Sequence, residues 1–232
     1  MRFFGRTCLF VAFAGALIAA TSGACLPDPK AEYEDYKART AGLDQPPTTT
    51  VDASIDTKPP EEAVEALYVG ICTTKLALKD PAQALRFHTQ TKFVPDGAGG
   101  GKLELVIRPL VGYQNGGAII PKAVALSETR GNPITVSDLP VAAGQGRFTA
   151  QLGTLQLPGE CNSISGSDAT INNAILDGRY GSGDEFCALL GGHLVLPYEY
   201  DFVPADNACL FIKVKEGDPV PTRTVEQFVC PL

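Results

Sequence analysis

The stretch that decides the fold is Leu85–Pro109, "LRFHTQTKFVPDGAGGGKLELVIRP". Leu85, Phe87, Thr89, Thr91 and Phe93 alternate with Arg86, His88, Gln90 and Lys92, the period of two that gives a strand one apolar and one wet face. Asp96-Gly97-Ala98-Gly99-Gly100-Gly101 then supplies residues that tolerate the positive φ of a turn. On the return Leu103, Leu105 and Ile107 alternate with Lys102, Glu104 and Arg108. The pattern predicts an antiparallel hairpin with Leu85, Phe87, Phe93, Leu103, Leu105 and Ile107 facing inward. Pro109 cannot donate to a ladder and marks an edge or a bend.

The same pattern recurs outward from this hairpin. Strands are expected at Ala66–Thr73, Ala123–Ser127, Gly146–Leu157, Ala169–Leu176, Phe186–Leu196 and Ala208–Val214. In the Gly146 strand the apolar parity changes from Phe148, Ala150 and Leu152 to Leu155 and Leu157, which predicts a β-bulge at Gly153. No long amphipathic helix follows Glu65, and Gly, Pro, Asn and Asp punctuate the connections. Residues 63–232 are therefore expected to form one all-β domain. An antiparallel meander barrel and a two-sheet β-sandwich both satisfy this pattern. The barrel is favoured because the clearest hairpin joins consecutive strands. Any likeness to lipocalins is architectural only, since that family's Gly-x-Trp signature is missing and the chain has no Trp.

Ahead of the domain, Ala41–Glu62 is rich in Pro, Thr and Asp and poor in large apolar side chains. This composition predicts an extended acidic spacer within residues 25–62. Ala31–Thr40, "AEYEDYKART", could add a short helix. Residues 1–24 have the pattern of an export signal: Arg2 and Arg6, an apolar run from Cys8 to Ala20, then Thr21-Ser22-Gly23-Ala24. That run is shorter than the ~20 residues a membrane-spanning helix requires.

Gly23-Ala24-Cys25 after the apolar run resembles the lipobox of bacterial lipoproteins. The resemblance implies diacylglyceryl modification of the Cys25 thiol, cleavage just before it and acylation of the new amino end. Leu26 after the cysteine resembles the outer-membrane rather than the inner-membrane sorting pattern. Ser22 departs from the family, which prefers Leu or a similar residue there. The same small residues suit ordinary signal cleavage, leaving a soluble periplasmic or secreted chain as the alternative.

Charge and cysteine usage narrow the chemistry. Loss of Arg2 and Arg6 with the leader moves the formal charge from −7 to −9, which argues against nucleic-acid binding. Of seven cysteines, Cys8 leaves with the leader. If Cys25 is lipidated, Cys72, Cys161, Cys187, Cys209 and Cys230 remain, enough for two bridges and one spare thiol; if not, three bridges become open. Cys161–Cys187 is the expected pair. No Cys-x-x-Cys spacing occurs, and two histidines are few for a zinc site.

Catalytic motifs are not evident. Asp96 and Leu103 stand where a phosphate loop needs Gly and Ser or Thr, and the run joins two strands, so it reads as a turn. His88 shares its face with Arg86, Gln90 and Lys92 and is expected to be solvated. His193 follows Gly191-Gly192 and is expected to pack without a catalytic role. Cys187 lies on the same strand face but ~20 Å away, too far to pair with it. Asp184-Glu185 and Glu199-x-Asp201 are expected to be surface charge, and Ser165-Gly166-Ser167-Asp168 a turn. No cofactor or metal is implied. The sequence is best read as a non-enzymatic lipoprotein that presents a β domain in the cell envelope. The alternatives are a carrier of small apolar ligands in a barrel cavity and a secreted hydrolase with dispersed carboxylates.

Overall fold

A computed structural model describes residues 58–77, 80–221 and 230. Cys25, the leader and the possible helix at 31–40 lie outside the described residues. The domain is all-β, with short 3-10 turns and no α-helix among the described residues. Its strands are β1 (Val64–Thr73), β2 (Leu85–Pro95), β3 (Gly101–Pro109), β4 (Tyr113–Gln114), β5 (Gly117–Ala118), β6 (Ile134–Val141), β7 (Arg147–Leu157), β8 (Ala169–Arg179), β9 (Glu185–Leu196), β10 (Tyr200–Phe202) and β11 (Ala208–Val214).

One antiparallel sheet runs in the order β6-β3-β2-β1-β11-β9-β8-β7, with β10 added to β9, and curls into a nearly closed barrel. The barrel, rather than the sandwich, is the architecture. Its seam lies between β6 and β7, joined at one end by a turn in which Ala142 N–H donates to Arg147 O at 2.9 Å. The decisive hairpin forms as its alternation requires, with Phe93 opposite Leu103 and Thr91 opposite Leu105. Leu85, Phe87, Phe93, Leu103, Leu105 and Ile107 are all buried inside.

Aromatic rings fill the upper part of the interior. Phe186 stacks on Phe211 at 4.3 Å and meets Tyr68 and Tyr180 edge-on at 4.9 and 5.3 Å. Gly70 makes this possible, because a Cβ there would sit 2.7 Å from the Phe211 ring. The predicted bulge is present: the β7–β8 register shifts on both sides of Gly153, whose φ is +72°.

A second, smaller core lies outside the barrel. Val69, Ile71 and Leu210 project outward from β1 and β11 and are covered by Leu110, Val124 and Val220 from connecting segments. This layer overturns two expectations. Ala123–Ser127 is not a strand: Val124 is buried in the covering layer, and the chain turns there as a 3-10 segment at Leu126–Glu128. His88 is not solvated but fully buried, as is most of Arg86, because the layer closes over the wet face of β2. β6 was not legible as a strand. Its parity changes at Asp138, which has φ +56°, and a register shift opposes it between Leu103 and Leu105.

The disulfides also differ from expectation. Cys72 in β1 bonds Cys209 directly opposite in β11, and Cys187 in β9 bonds Cys230. Cys161–Cys187 cannot form: Cys187 pairs in register with Arg179 at the top of the barrel, whereas Cys161 lies in the turn that follows the bottom of β7. Cys161 is the spare thiol, and its burial pushes the pKa up to about 11.

Candidate functional site

The two ends of the barrel differ in chemistry. The upper end is closed by the aromatic cluster, and the chain joins the domain there, with Ser182 N–H donating to Lys58 O at 2.9 Å. The lower end is built from the connections after β1, β7 and β9. β9 runs out at Leu196, turns through a cis Leu196–Pro197 peptide and returns as β10, pairing Tyr200 with Leu194 and Phe202 with Gly192. This folds Phe202 into the core and leaves Leu196, Tyr198 and Val203 at the rim, exposed by 52%, 46% and 51%.

Polar contacts hold the rest of this end in place. Asn162 Nδ2 donates to Ser165 Oγ at 2.8 Å and Ser167 O at 2.7 Å, while its Oδ1 accepts from Ile164 N–H at 3.2 Å. Ser163 Oγ donates to Gln83 O and Ala84 O, each at 2.8 Å. Asn207 Nδ2 donates to Val203 O at 2.7 Å and its Oδ1 accepts from Lys75 N–H at 3.3 Å. The expected Ser165–Asp168 turn is therefore a structural brace, with Asp168 Oδ1 accepting from Gly159 N–H at 2.7 Å.

Between these braces lies an apolar groove lined by Leu76, Leu157, Ile164, Ile171, Pro197 and Tyr198. The space in it open to the centre of a water molecule is about 20 Å³. Deeper, the void among Phe87, Ile107, Leu155, Leu190 and Phe211 has a volume of about 10 Å³, room for one water at most. A ligand carrier needs several hundred cubic ångströms, so the barrel interior is a packed core in this structure.

The histidines fall into two different settings. His193 Nδ1 meets Asp201 Oδ1 at 2.6 Å, because β10 places Asp201 directly opposite His193. His193 also stands opposite Asn172, whose Oδ1 accepts from Thr154 Oγ1 at 3.3 Å, so one polar row crosses four strands on the outer face. The carboxylate fixes the imidazole tautomer, as in catalytic dyads. Thr154, however, is two strands away, and the row lies on the outer wall away from the groove. Its effect is to pin β10 to β9. His193 and Asp201 were singled out separately in the sequence. Their meeting was hidden because β10 is three residues long, although Pro197 midway between them was the available turn signal.

His88 Nε2 donates to Glu216 Oε2 at 2.9 Å, and Glu216 Oε1 accepts from Leu126 N–H at 2.7 Å. Those two bonds hold the Glu216 carboxyl below its ordinary value. Arg86 donates to Pro81 O, Ala82 O and Ala84 O, and its burial lowers the guanidinium pKa to about 10. These residues fasten the outer layer to β2. At the upper end Asp184 faces Lys213 at 3.5 Å, and Asp96 Oδ1 accepts from Ala98 and Gly100 N–H at 2.7 and 3.1 Å, as a turn residue does. Among the described residues no three metal-ligating side chains come together. No protein-family model, curated protein or solved structure matches the chain.

Proposed function

We propose that the protein is an exported lipoprotein, anchored through Cys25, whose disulfide-braced barrel presents a non-catalytic binding surface in the bacterial cell envelope. The observation that carries the reading is the use of the cysteines. Two buried bridges, Cys72–Cys209 and Cys187–Cys230, suit an oxidising compartment outside the cytoplasm. They occupy four thiols, and the fifth, Cys161, is 1% exposed, which leaves Cys25 no accessible cysteine partner among the described residues. Cys25, placed directly after Gly23-Ala24, fits lipidation. Two or more acyl chains then hold the chain firmly, at ~0.8 kcal/mol per buried methylene.

The packed interior favours presentation of a surface over carriage of a ligand. The test is metabolic labelling with radioactive palmitate of cells making the wild-type chain or Cys25→Ser. Label on the wild type alone, with that protein in the membrane fraction, is expected. An unlabelled wild-type protein in the soluble fraction would defeat the anchor and favour simple secretion.

A further inference from the structure

Five large apolar side chains among the described residues are strongly exposed, and three of them, Leu196, Tyr198 and Val203, fall within one eight-residue hairpin. Scattered exposed apolar groups are ordinary, but three in one short hairpin, with Tyr198 lining an apolar groove, mark a contact surface. The charges around it decide what kind. Asp80, Glu160, Asp168, Glu199 and Asp206 belong to the segments that build this end, against Lys75, Arg86 and Arg130 among the described cations, with Arg86 beside Asp80. Arg130 is taken up by Glu160 at 3.0 Å and Lys75 by Asp206 at 3.3 Å, so the remaining field is negative. Such a rim repels an anionic bilayer. It attracts a partner that carries positive charge beside an apolar anchor.

We propose that the hairpin at the lower end of the barrel, with Leu196, Tyr198 and Val203 exposed and Tyr198 beside the groove, docks a basic protein segment that lays an apolar side chain against it. The proposal rests on the reading of the domain as a presenting module and adds the surface and the chemistry of the partner. It is tested with the mature chain carrying Cys25→Ser, which keeps the assay independent of lipidation. The probes are a synthetic Lys-Leu-Lys-Phe-Lys-Leu peptide, its Glu-for-Lys counterpart, and phosphatidylglycerol vesicles, read by amide NMR shifts.

The expected result is saturable binding of the lysine peptide with shifts confined to residues 194–206 and the groove. Binding should weaken about tenfold on raising salt from 50 to 300 mM or in Glu199→Lys. Tyr198→Ser with Val203→Ser should remove it while the remaining spectrum stays dispersed. Glu199 is a surface side chain, so Glu199→Lys keeps the test valid should the double variant misfold. Equal binding of the two peptides, shifts centred elsewhere, or vesicle binding through the hairpin would each overturn the proposal. None of these outcomes bears on palmitate labelling, so failure here leaves the anchor question separate.

Discussion

Glu216 gives a pH signature that follows from two bonds. Its carboxyl is held below the ordinary value by His88 and by the Leu126 amide. The unfolded chain therefore binds the proton more readily, and stability rises with pH through that window. The contribution is complete above about pH 4.5 and disappears as pH falls through the lowered folded value. Urea midpoints measured between pH 7 and 3 should fall for the wild type and change less for Glu216→Gln. Because Glu216 is half-exposed, the effect is modest. Glu216→Ala should cost about 1–2 kcal/mol at pH 7, since it leaves the buried His88 Nε2–H without its acceptor. Cys161 offers a second check at this scale. With its thiol buried and its pKa raised to about 11, it should resist maleimide in the folded protein and react promptly in urea. Fast labelling of the native fold would contradict its burial.

At the level of strands, Cys72–Cys209 joins β1 to β11 across 137 residues of sequence. Replacing both cysteines by Ser should lower stability by about 2–5 kcal/mol, read as a shift in the denaturation midpoint. Gly70→Ala should also destabilise, by about 1–3 kcal/mol, because the added methyl meets Phe211 and disturbs its stack on Phe186. Where alternation was uninterrupted, as in Leu85–Phe93 and Leu103–Ile107, the sequence disclosed both the strand and its inner face. Gly153 betrayed its bulge through the change of parity. Legibility failed where period two was broken or misleading. Asp138 breaks it inside β6, and the apolar run around Val124 packs on the outside of the barrel rather than in its sheet. The wet face of β2 looked solvated because an alternation cannot announce a distant segment that will cover it. For the candidate end, Asn162 and Asn207 gave no signal, since their importance comes from carbonyls and amides brought near by the fold.

The whole molecule is a barrel with one seam, one covered flank and two unlike ends. Among the described residues, the end strands β6 and β7 lack a second ladder in the main path of the sheet, and β10 pairs with β9 alone. Hydrogen exchange should accordingly open first along the seam, while β1 and β11, laddered on both sides and bridged, exchange last. Protection of β6 and β7 equal to that of β1 would indicate full closure of the ring. The candidate surface sits at the end remote from Lys58, where the described chain meets the barrel at Ser182, and that arrangement emerges only from assembly of all the strands.

The ladder between β1 and β11 has a further consequence for biogenesis. The first strand of the domain finds its neighbour only when the last has been delivered, so half of the central pairing must wait for nearly the complete polypeptide. Such long-distance pairing makes folding slow. A chain cut before Ala208 would emerge with β1 unpaired on that side and Cys72 unoxidised, a substrate for proteolysis rather than a smaller barrel.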